Sequence, residues 1–335
     1  SMSLPMRNKP PEHGIRIPFE DLAQFVSDLF VNAGLYRHDA KLLGKILTGA
    51  DNRCVFSHGT RQTPGYIRKI QDGDVNARPT ITIVQEQNTT AVLDGDGGLG
   101  YFPSYRGMEM AIDKARQYGV GVVTTRNHFH FGAAGNYSRM ALANNCIGLA
   151  LSSHRYPLDA DRLIMGASGG SPMSIAFPSR AQPPLVLDMS ASMMGYDEEL
   201  FKQFNSVFTK SLGLGVALHA LGGILAGIRK PELEPPHSRW ESNQGAFLAV
   251  FNIEHFMGID EFETTMDRFI GQARDMKPFP DMPYAELPGG MEWRWAHENA
   301  KSGVPIGEDH QRVLDALAEE LNVPSVFRDF EETRY

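Results

Sequence analysis

Apolar residues recur at helical spacing twice near the start of the chain. Over residues 17–35 they fall at Leu22, Phe25, Val26, Leu29 and Phe30, behind Pro18 and a Glu20-Asp21 pair suited to the positive end of a helix. Over residues 40–50 they fall at Leu42, Leu43, Ile46 and Leu47, and residues 65–71 predict a third, shorter helix. The pattern then changes to β-branched runs at 80–84 and 89–93, which read as a hairpin. Beyond it, helix and strand signals alternate: a helix at 104–118 capped by Gly119, a buried strand at 120–125, a helix at 133–145, a strand at 147–151. Short strands follow at 173–177 and 185–187, then a long small-residue helix at 210–227, a proline linker at 231–236, a strand at 246–251 and helices at 260–276 and 310–321. The alternation predicts a mixed α/β protein, and the hairpin argues against a purely parallel sheet. Three segments are expected: a helical lobe at 5–78, an α/β core at 79–235, and a C-terminal α/β segment at 236–335 that packs back on the first.

Composition narrows the partners. A chain of 335 residues, 42% hydrophobic, can bury a sizeable core, and its length suggests more than one lobe. The net charge is −8 and no basic stripe appears, which argues against nucleic acid or an anionic membrane as main partner. Cys54 and Cys146 lack any metal or disulfide spacing, so a reducing cytoplasm is expected, with both thiols structural. The apolar run 212–228 is broken by glycines and a histidine and reads as a buried helix, not a membrane span. No secretory leader is apparent, and Ser1-Met2-Ser3-Leu4 reads as an expression remnant.

Chemistry concentrates in Arg53-Cys-Val-Phe-Ser-His-Gly-Thr-Arg-Gln-Thr-Pro-Gly-Tyr66. Within this stretch lie a hydroxyl (Ser57), an imidazole (His58), a guanidinium (Arg61), an amide (Gln62) and a phenol (Tyr66). Histidine can give or take a proton near neutral pH, so His58 among donors suits proton transfer at a carbonyl or hydroxyl, while Arg61 can hold a carboxylate bidentately. The plainer reading is a helix-to-loop junction turning at Gly59. A second motif, Gly95-Asp-Gly-Gly-Leu-Gly100, matches a dinucleotide fingerprint, but the next strand ends in Arg126-Asn127 instead of an acid, and Phe102-Pro103 intrudes on the helix start. A glycine turn against packed backbone is the better reading.

Several separated stretches together resemble one family, the malate/L-lactate dehydrogenases that are distinct from the Rossmann-type enzymes. They are Ser57-His58-Gly59 with Pro64 and Tyr66; Asp94 to Gly100; Arg126-Asn-His-Phe-His-Phe-Gly-Ala-Ala-Gly135; Gly169-Gly-Ser-Pro172 with Ala176-Phe-Pro178; Val186-Leu-Asp-Met189; Lys210-Ser-Leu-Gly-Leu214; Leu287-Pro-Gly-Gly290; and Gly303-Val-Pro305. The resemblance implies a non-Rossmann fold with an N-terminal helical lobe and a nicotinamide-binding domain. It also implies a homodimer using NAD or NADP to interconvert a small 2-oxo carboxylate and its 2-hydroxy acid. By position, His58 resembles the family's proton donor and acceptor, His130 a second, substrate-contacting and catalytic histidine, and Asp188 the aspartate near them; Ser57, Gln62, Tyr66 and Arg61, which stands one place early, are the expected substrate contacts of the same segment. Ser153, His154, Gly169, Gly170, Ser171, Pro172, Lys210, Pro288, Gly289 and Gly290 match cofactor-binding positions.

This chain departs from the family pattern at several of these positions. Gln62 stands where an arginine is usual, Ser171 where the loop carries asparagine, Ser153-His154 where an asparagine-serine pair stands, and Gly290 where an acid follows Pro-Gly; the connection from Asp188 to Lys210 is short. The alternative they raise is a catalytically impaired member acting as a ligand-binding or scaffold dimer. A weaker alternative is a metal-dependent hydrolase using His58, His128, His130 and Asp188.

Overall fold

The computed structural model describes residues 8–335; the Ser1 to Leu4 stretch lies outside them. Contacts group the chain into two compact units, one formed by the chain through Arg78 together with Gly271–Tyr335, the other by Pro79–Ile270.

The first unit is mainly helical. It begins with β1 (Gly14–Ile17), α1 (Phe19–Asn32) and α2 (Arg37–Asn52), and α3 (Thr63–Gln71) follows two single turns of 3-10 helix at Phe56–His58 and Thr60–Gln62. The far end of the chain returns α8 (Gly290–Ser302), β9 (Val304–Gly307) and α9 (Glu308–Glu320) to the same unit. The amphipathic stripe legible in α1 is its buried face: Leu22, Val26, Leu29 and Phe30 are fully buried, and with Leu43 and Leu47 of α2 they close the core. Gly44 lets the two helices approach, since a methyl there would lie 2.5 Å from the Ala23 carbonyl oxygen. β1 pairs antiparallel with β9, Ile15 opposite Ile306, which ties the chain's beginning to its end.

The second unit is built on a seven-stranded sheet. Its strands are β2 (Thr82–Glu86), β3 (Thr90–Asp94), β4 (Val120–His128), β5 (Cys146–His154), β6 (Pro172–Phe177), β7 (Leu185–Ser190) and β8 (Gln244–Asn252), in the order β2-β3-β4-β8-β5-β6-β7. Only β3 and β4 run parallel, joined over α4 (Tyr101–Tyr118); every other neighbouring pair is antiparallel. The fold is therefore mixed α/β and not a Rossmann sheet. β8 lies at the centre of this sheet, between β4 and β5, so the stretch after residue 235 is divided between the two units instead of forming a C-terminal segment of its own.

Three sequence expectations need correction. Residues 133–145 hold only the short helix α5 (Gly135–Ser138) and a 3-10 run, Arg139–Asn144. The small-residue helix starts earlier than expected: α6 runs Glu198–His219, kinked at Phe204, and continues as a π turn, Ala220–Leu225. Its first turns carry exposed Phe201 and Phe204, so no buried stripe marks them. Pro103 does not break the start of α4 but sits in its first turn, where a missing N–H costs nothing. α7 (Ile259–Arg274) begins in this unit and crosses its boundary at Ile270.

The Gly95 to Gly100 motif is a packed turn. A methyl at Gly97 would lie 2.3 Å from the Trp240 ring, and one at Gly100 would lie 2.5 Å from the Phe129 carbonyl oxygen, so no room is left for a pyrophosphate against the backbone at these points. At Gly121, where β4 meets α4, a methyl would stand 2.1 Å from the Ala111 carbonyl oxygen. Gly121→Ala is expected to destabilise the protein by about 1–3 kcal/mol, read as a fall in Tm by calorimetry; an unchanged Tm would contradict the packing described.

Candidate functional site

The His58 turn is short and held by its own polar groups. α2 ends at Asn52, Cys54 takes a positive φ of 60°, and the chain then makes its two 3-10 turns. Ser57 Oγ lies 3.0 Å from His58 Nδ1, and the Gln62 amide donates to the Ser57 carbonyl oxygen at 2.6 Å. Gln62, expected to touch substrate, thus braces the turn that carries His58. His58 is half-buried and Arg61 exposed, whereas Tyr66 is 3% exposed and belongs to the core of its unit.

Beneath this turn lies a buried polar group that sequence reasoning missed. Asp51 is fully buried, its carboxylate accepts the Thr60 N–H, and a methyl on Gly59 would fall 1.8 Å from its Oδ1. Only glycine at 59 lets the carboxylate sit directly under the backbone. Burial pushes the Asp51 carboxyl up to about 8 against the pull of its hydrogen bonds to Thr60 and the nearby Arg61 charge.

In the same unit the Leu287 to Gly290 turn opens α8. Gly289 is left-handed at φ 89°, and Gly290 starts the helix. The Glu286 carboxylate is folded under it, 2.5 Å from Arg294 Nε and 3.2 Å from Arg274 Nε. A methyl on Gly290 would come within 2.3 Å of Glu286 Oε2. Gly290, with no side chain, leaves that space to the Glu286 carboxylate. Pro288 is exposed beside it.

The second unit carries the remaining candidates in two groups. In the first, β4 delivers the chain to His128, which is a satisfied core histidine: fully buried, its Nδ1–H donates to the Phe129 carbonyl at 2.7 Å and its Nε2 lies 2.7 Å from the Thr125 hydroxyl. Burial lowers its pKa to about 4, and with both nitrogens engaged it is no metal ligand. His130, two residues on, is partly exposed. Asp188 is exposed on β7 and accepts the Gly135 N–H through Oδ2 at 3.1 Å. A methyl at Gly135 would meet Asp188 Oδ2 at 2.4 Å and Arg139 Nη1 at 2.5 Å, so carboxylate and guanidinium converge on the start of α5. The carboxylate therefore anchors the glycine segment that follows His130.

The second group gathers most of the expected cofactor positions. Ser171 donates to Ser153 Oγ at 3.0 Å, and Ser153 Oγ lies 2.7 Å from His219 Nδ1. Ser153 and Ser171 are buried at the inner end of the loop, so they shape it instead of facing outward. Gly169 and Gly170 both take φ of 63°; Gly169 packs on the Tyr156 ring, while a methyl on Gly170 would meet nothing nearer than Ser190 Oγ at 4.0 Å. Tyr156, whose hydroxyl donates to the Ala167 carbonyl at 2.7 Å, stands between the His154 and His219 rings, with centroids 5.2 and 4.8 Å away. Burial lowers the pKa of both histidines, so both are neutral at pH 7. His219 and Tyr156 were not legible as site residues, though a histidine inside an apolar small-residue run was the available signal. Lys210 is exposed on α6, which packs tightly on the loop: a methyl at Gly215 would lie 2.4 Å from the Ser168 carbonyl oxygen. Pro172 begins β6 at the loop's end. An open glycine backbone with a lysine on the adjoining helix is a donor set suited to a cofactor phosphate.

Comparison with solved structures gives the class. The malate dehydrogenase of Pyrococcus horikoshii superposes with a TM-score of 0.81 at 28% identity, covering 95% of this chain and 99% of that one. The sulfolactate dehydrogenase of Methanocaldococcus jannaschii does so at 0.75 and 26%, over 94% of this chain and 99% of that one. The fold is that of dehydrogenases built without a Rossmann sheet. The malate/L-lactate dehydrogenase family model matches residues 17–201, more than half of the chain, and the chain belongs to that family. Relatives include the malate dehydrogenase of Pyrococcus abyssi, 29% identical over 92% of this chain and 94% of that protein. The L-sulfolactate dehydrogenase of Methanothermobacter thermautotrophicus is 31% identical over 92% and 98%.

Proposed function

We propose that the protein is an NAD- or NADP-dependent oxidoreductase that interconverts a small 2-oxo carboxylate and its 2-hydroxy acid in the cytoplasm. The observation that carries this reading is the half-buried His58 imidazole on a braced turn, its Nδ1 at 3.0 Å from Ser57 Oγ. A bound nicotinamide supplies or takes the hydride. Negative charge then develops on the substrate oxygen, and a proton from His58 neutralises it; in the reverse direction His58 takes that proton. Ser57 orients the ring through Nδ1. Arg61, an exposed guanidinium three residues on, pairs with the substrate carboxylate. Gln62 and Tyr66 support that segment. His130 contacts substrate, and Asp188 fixes the backbone after it through the Gly135 N–H.

For the cofactor, the Gly169 to Pro172 loop offers open backbone at Gly170, Lys210 its charge, and His154 the adjoining wall over the buried Ser153. The helix of α6 and its π turn is long and apolar enough to cross a membrane by length and composition, yet Phe208, Gly215, Leu218, Gly222 and Gly223 are buried in this unit. Its other face exposes Val216, Leu221, Ile224 and Leu225, the apolar surface we assign to homodimer packing. Light scattering reading a monomer at micromolar concentration would remove that assignment.

The test is titration of NADH and NADPH into the purified protein, followed by a screen of 2-oxo acids at the reduced-nicotinamide absorbance band. Micromolar binding of one cofactor with turnover of at least one 2-oxo acid is expected; no heat and no thermal shift with either would overturn the reading. Lys210→Met is expected to weaken the bound cofactor by about tenfold or more, since a hydrogen bond to a charged group contributes roughly 1.5–3 kcal/mol.

A further inference from the structure

A buried polar chain runs under the His58 turn, and the proton transfer itself does not use it. Asp51 lies in the last turn of α2; its oxygens are 3.2 and 3.3 Å from the Thr60 nitrogen, and Oδ2 is 2.5 Å from the Thr60 hydroxyl. On its other side that hydroxyl is 2.8 Å from Nε2 of His310 in α9. Thr60 and Asp51 are fully buried and His310 is 2% exposed, with the Phe56 ring edge-on to its imidazole at 5.9 Å. Two helices and the catalytic turn thus meet at one hydroxyl. An apolar cluster would serve stability at least as well as a buried carboxyl and imidazole, so a role in holding geometry is the better account of their presence.

We propose that Asp51, Thr60 and His310 are positioning residues for His58, fixing the turn that carries it through the doubly held Thr60 hydroxyl. The proposal rests on the reading of His58 as the proton-transfer group. Thr60 sits two residues after His58 and one before Arg61, so a shift of its backbone moves both. A hydroxyl can serve both protonation states of Asp51. With Asp51 ionised, Thr60 donates to Oδ2 and His310 Nε2–H donates to Thr60. With Asp51 protonated, its O–H donates to Thr60, and Thr60 donates to a bare Nε2 on His310. Every group keeps a partner either way, and the turn stays put. The charged and titratable groups acting on this chain are Arg61, which bears on Asp51 and His310, and Cys54, whose thiol is pushed up by burial and further by Asp51.

The experiment compares Thr60→Val, which keeps the shape and removes the hydroxyl, with Thr60→Ser, which restores it. Turnover is measured alongside nitrogen resonances of histidine-labelled protein, with His58 assigned from the His58→Gln variant. Thr60→Val is expected to lower kcat by about ten- to a hundredfold with little change in KM, and to move the His58 imidazole resonances. Thr60→Ser should restore both. Wild-type turnover in Thr60→Val, or an equal loss in Thr60→Ser, would overturn the proposal. Should Thr60→Val not fold, His310→Phe against His310→Gln decides: the first removes the partner of the Thr60 hydroxyl and should lose turnover and move the His58 resonances, the second returns a polar partner and should recover part of both, and equal behaviour would overturn it. If the wild-type protein reduces no 2-oxo acid, the dehydrogenase reading fails separately. The resonances then decide the positioning role: a His58 signal moved by Thr60→Val and returned by Thr60→Ser supports it, and an unmoved signal overturns it.

Discussion

Replacing His58 with glutamine is expected to lower kcat by about 10²–10⁴-fold, the usual worth of a positioned general acid and base. Hydride arriving at a carbonyl carbon leaves charge on oxygen, and without a proton beside it that charge must be met by water. Glutamine keeps a polar side chain of similar reach near Ser57 but carries no titratable proton, so the loss reports proton transfer and not packing. His58 is only half-buried, on a turn held by Gln62 from one side and Asp51 from below. Tm and cofactor affinity should therefore stay near wild type. Added imidazole should restore part of the lost rate, because a free base can enter the vacated space. A kcat within about threefold of wild type would remove His58 from the chemistry, since positioned general acids and bases typically contribute about a hundredfold or more.

Much of the candidate site was legible in the sequence because the chemistry proposed for it is local. Ser57, His58, Arg61 and Gln62 fall within one turn, and their types alone suggest proton transfer beside an anion. The helices α1 and α2 were legible for the same reason: Leu22, Val26 and Leu29 repeat at helical spacing, and burial follows the repeat. What was missed depends on distance along the chain. β1 and β9 are four residues each, near opposite ends of the chain, too short for a period to register. α8 has only Gly290, Trp295 and Asn299 buried, so it shows no apolar stripe. Asp51 looked like an ordinary helix residue until the fold brought Thr60 over it and His310 beside it, 250 residues from Thr60. His219 reached Ser153 in the same way, across a separation of 66 residues. Departures from the family pattern, read in sequence as losses, have physical explanations in part: Gln62 braces Ser57, Ser171 joins a serine-histidine chain, and Glu286 fills the space beside Gly290.

The protein should be most stable near pH 6.5 and lose stability on both sides of it. Three buried groups displaced across the neutral range act in opposite directions. Asp51, raised from 3.8 to about 8 by burial, holds its proton in the folded state over a range where the unfolded chain has released it. Its contribution is complete below pH 4 and is lost as pH rises through 8, so between those values it makes stability fall with pH. His128 is lowered to about 4 and His310 to about 3, both by burial, so the folded state refuses protons that the unfolded chain takes up below 6.5. Their contribution is present above 6.5 and lost as pH falls; the smaller lowering of His154 and His219 adds to the same limb. Below pH 6.5 the histidines outweigh Asp51 and stability rises with pH; between 6.5 and 8 Asp51 dominates and stability falls, and the raised Cys54 thiol extends that fall towards pH 9. Each fully engaged group changes stability by about 1.4 kcal/mol per pH unit, so the profile spans several kcal/mol. Calorimetry from pH 5 to 9 should show a maximum in Tm near 6.5, and Asp51→Asn should flatten the alkaline side up to pH 8 while leaving the acid side in place. A Tm that keeps rising between pH 6.5 and 8, or an Asp51→Asn variant that retains the alkaline fall, would show that Asp51 is ionised in the folded protein at neutral pH. The chain under His58 would then be fixed in the orientation where His310 donates to Thr60, and Thr60 to Asp51.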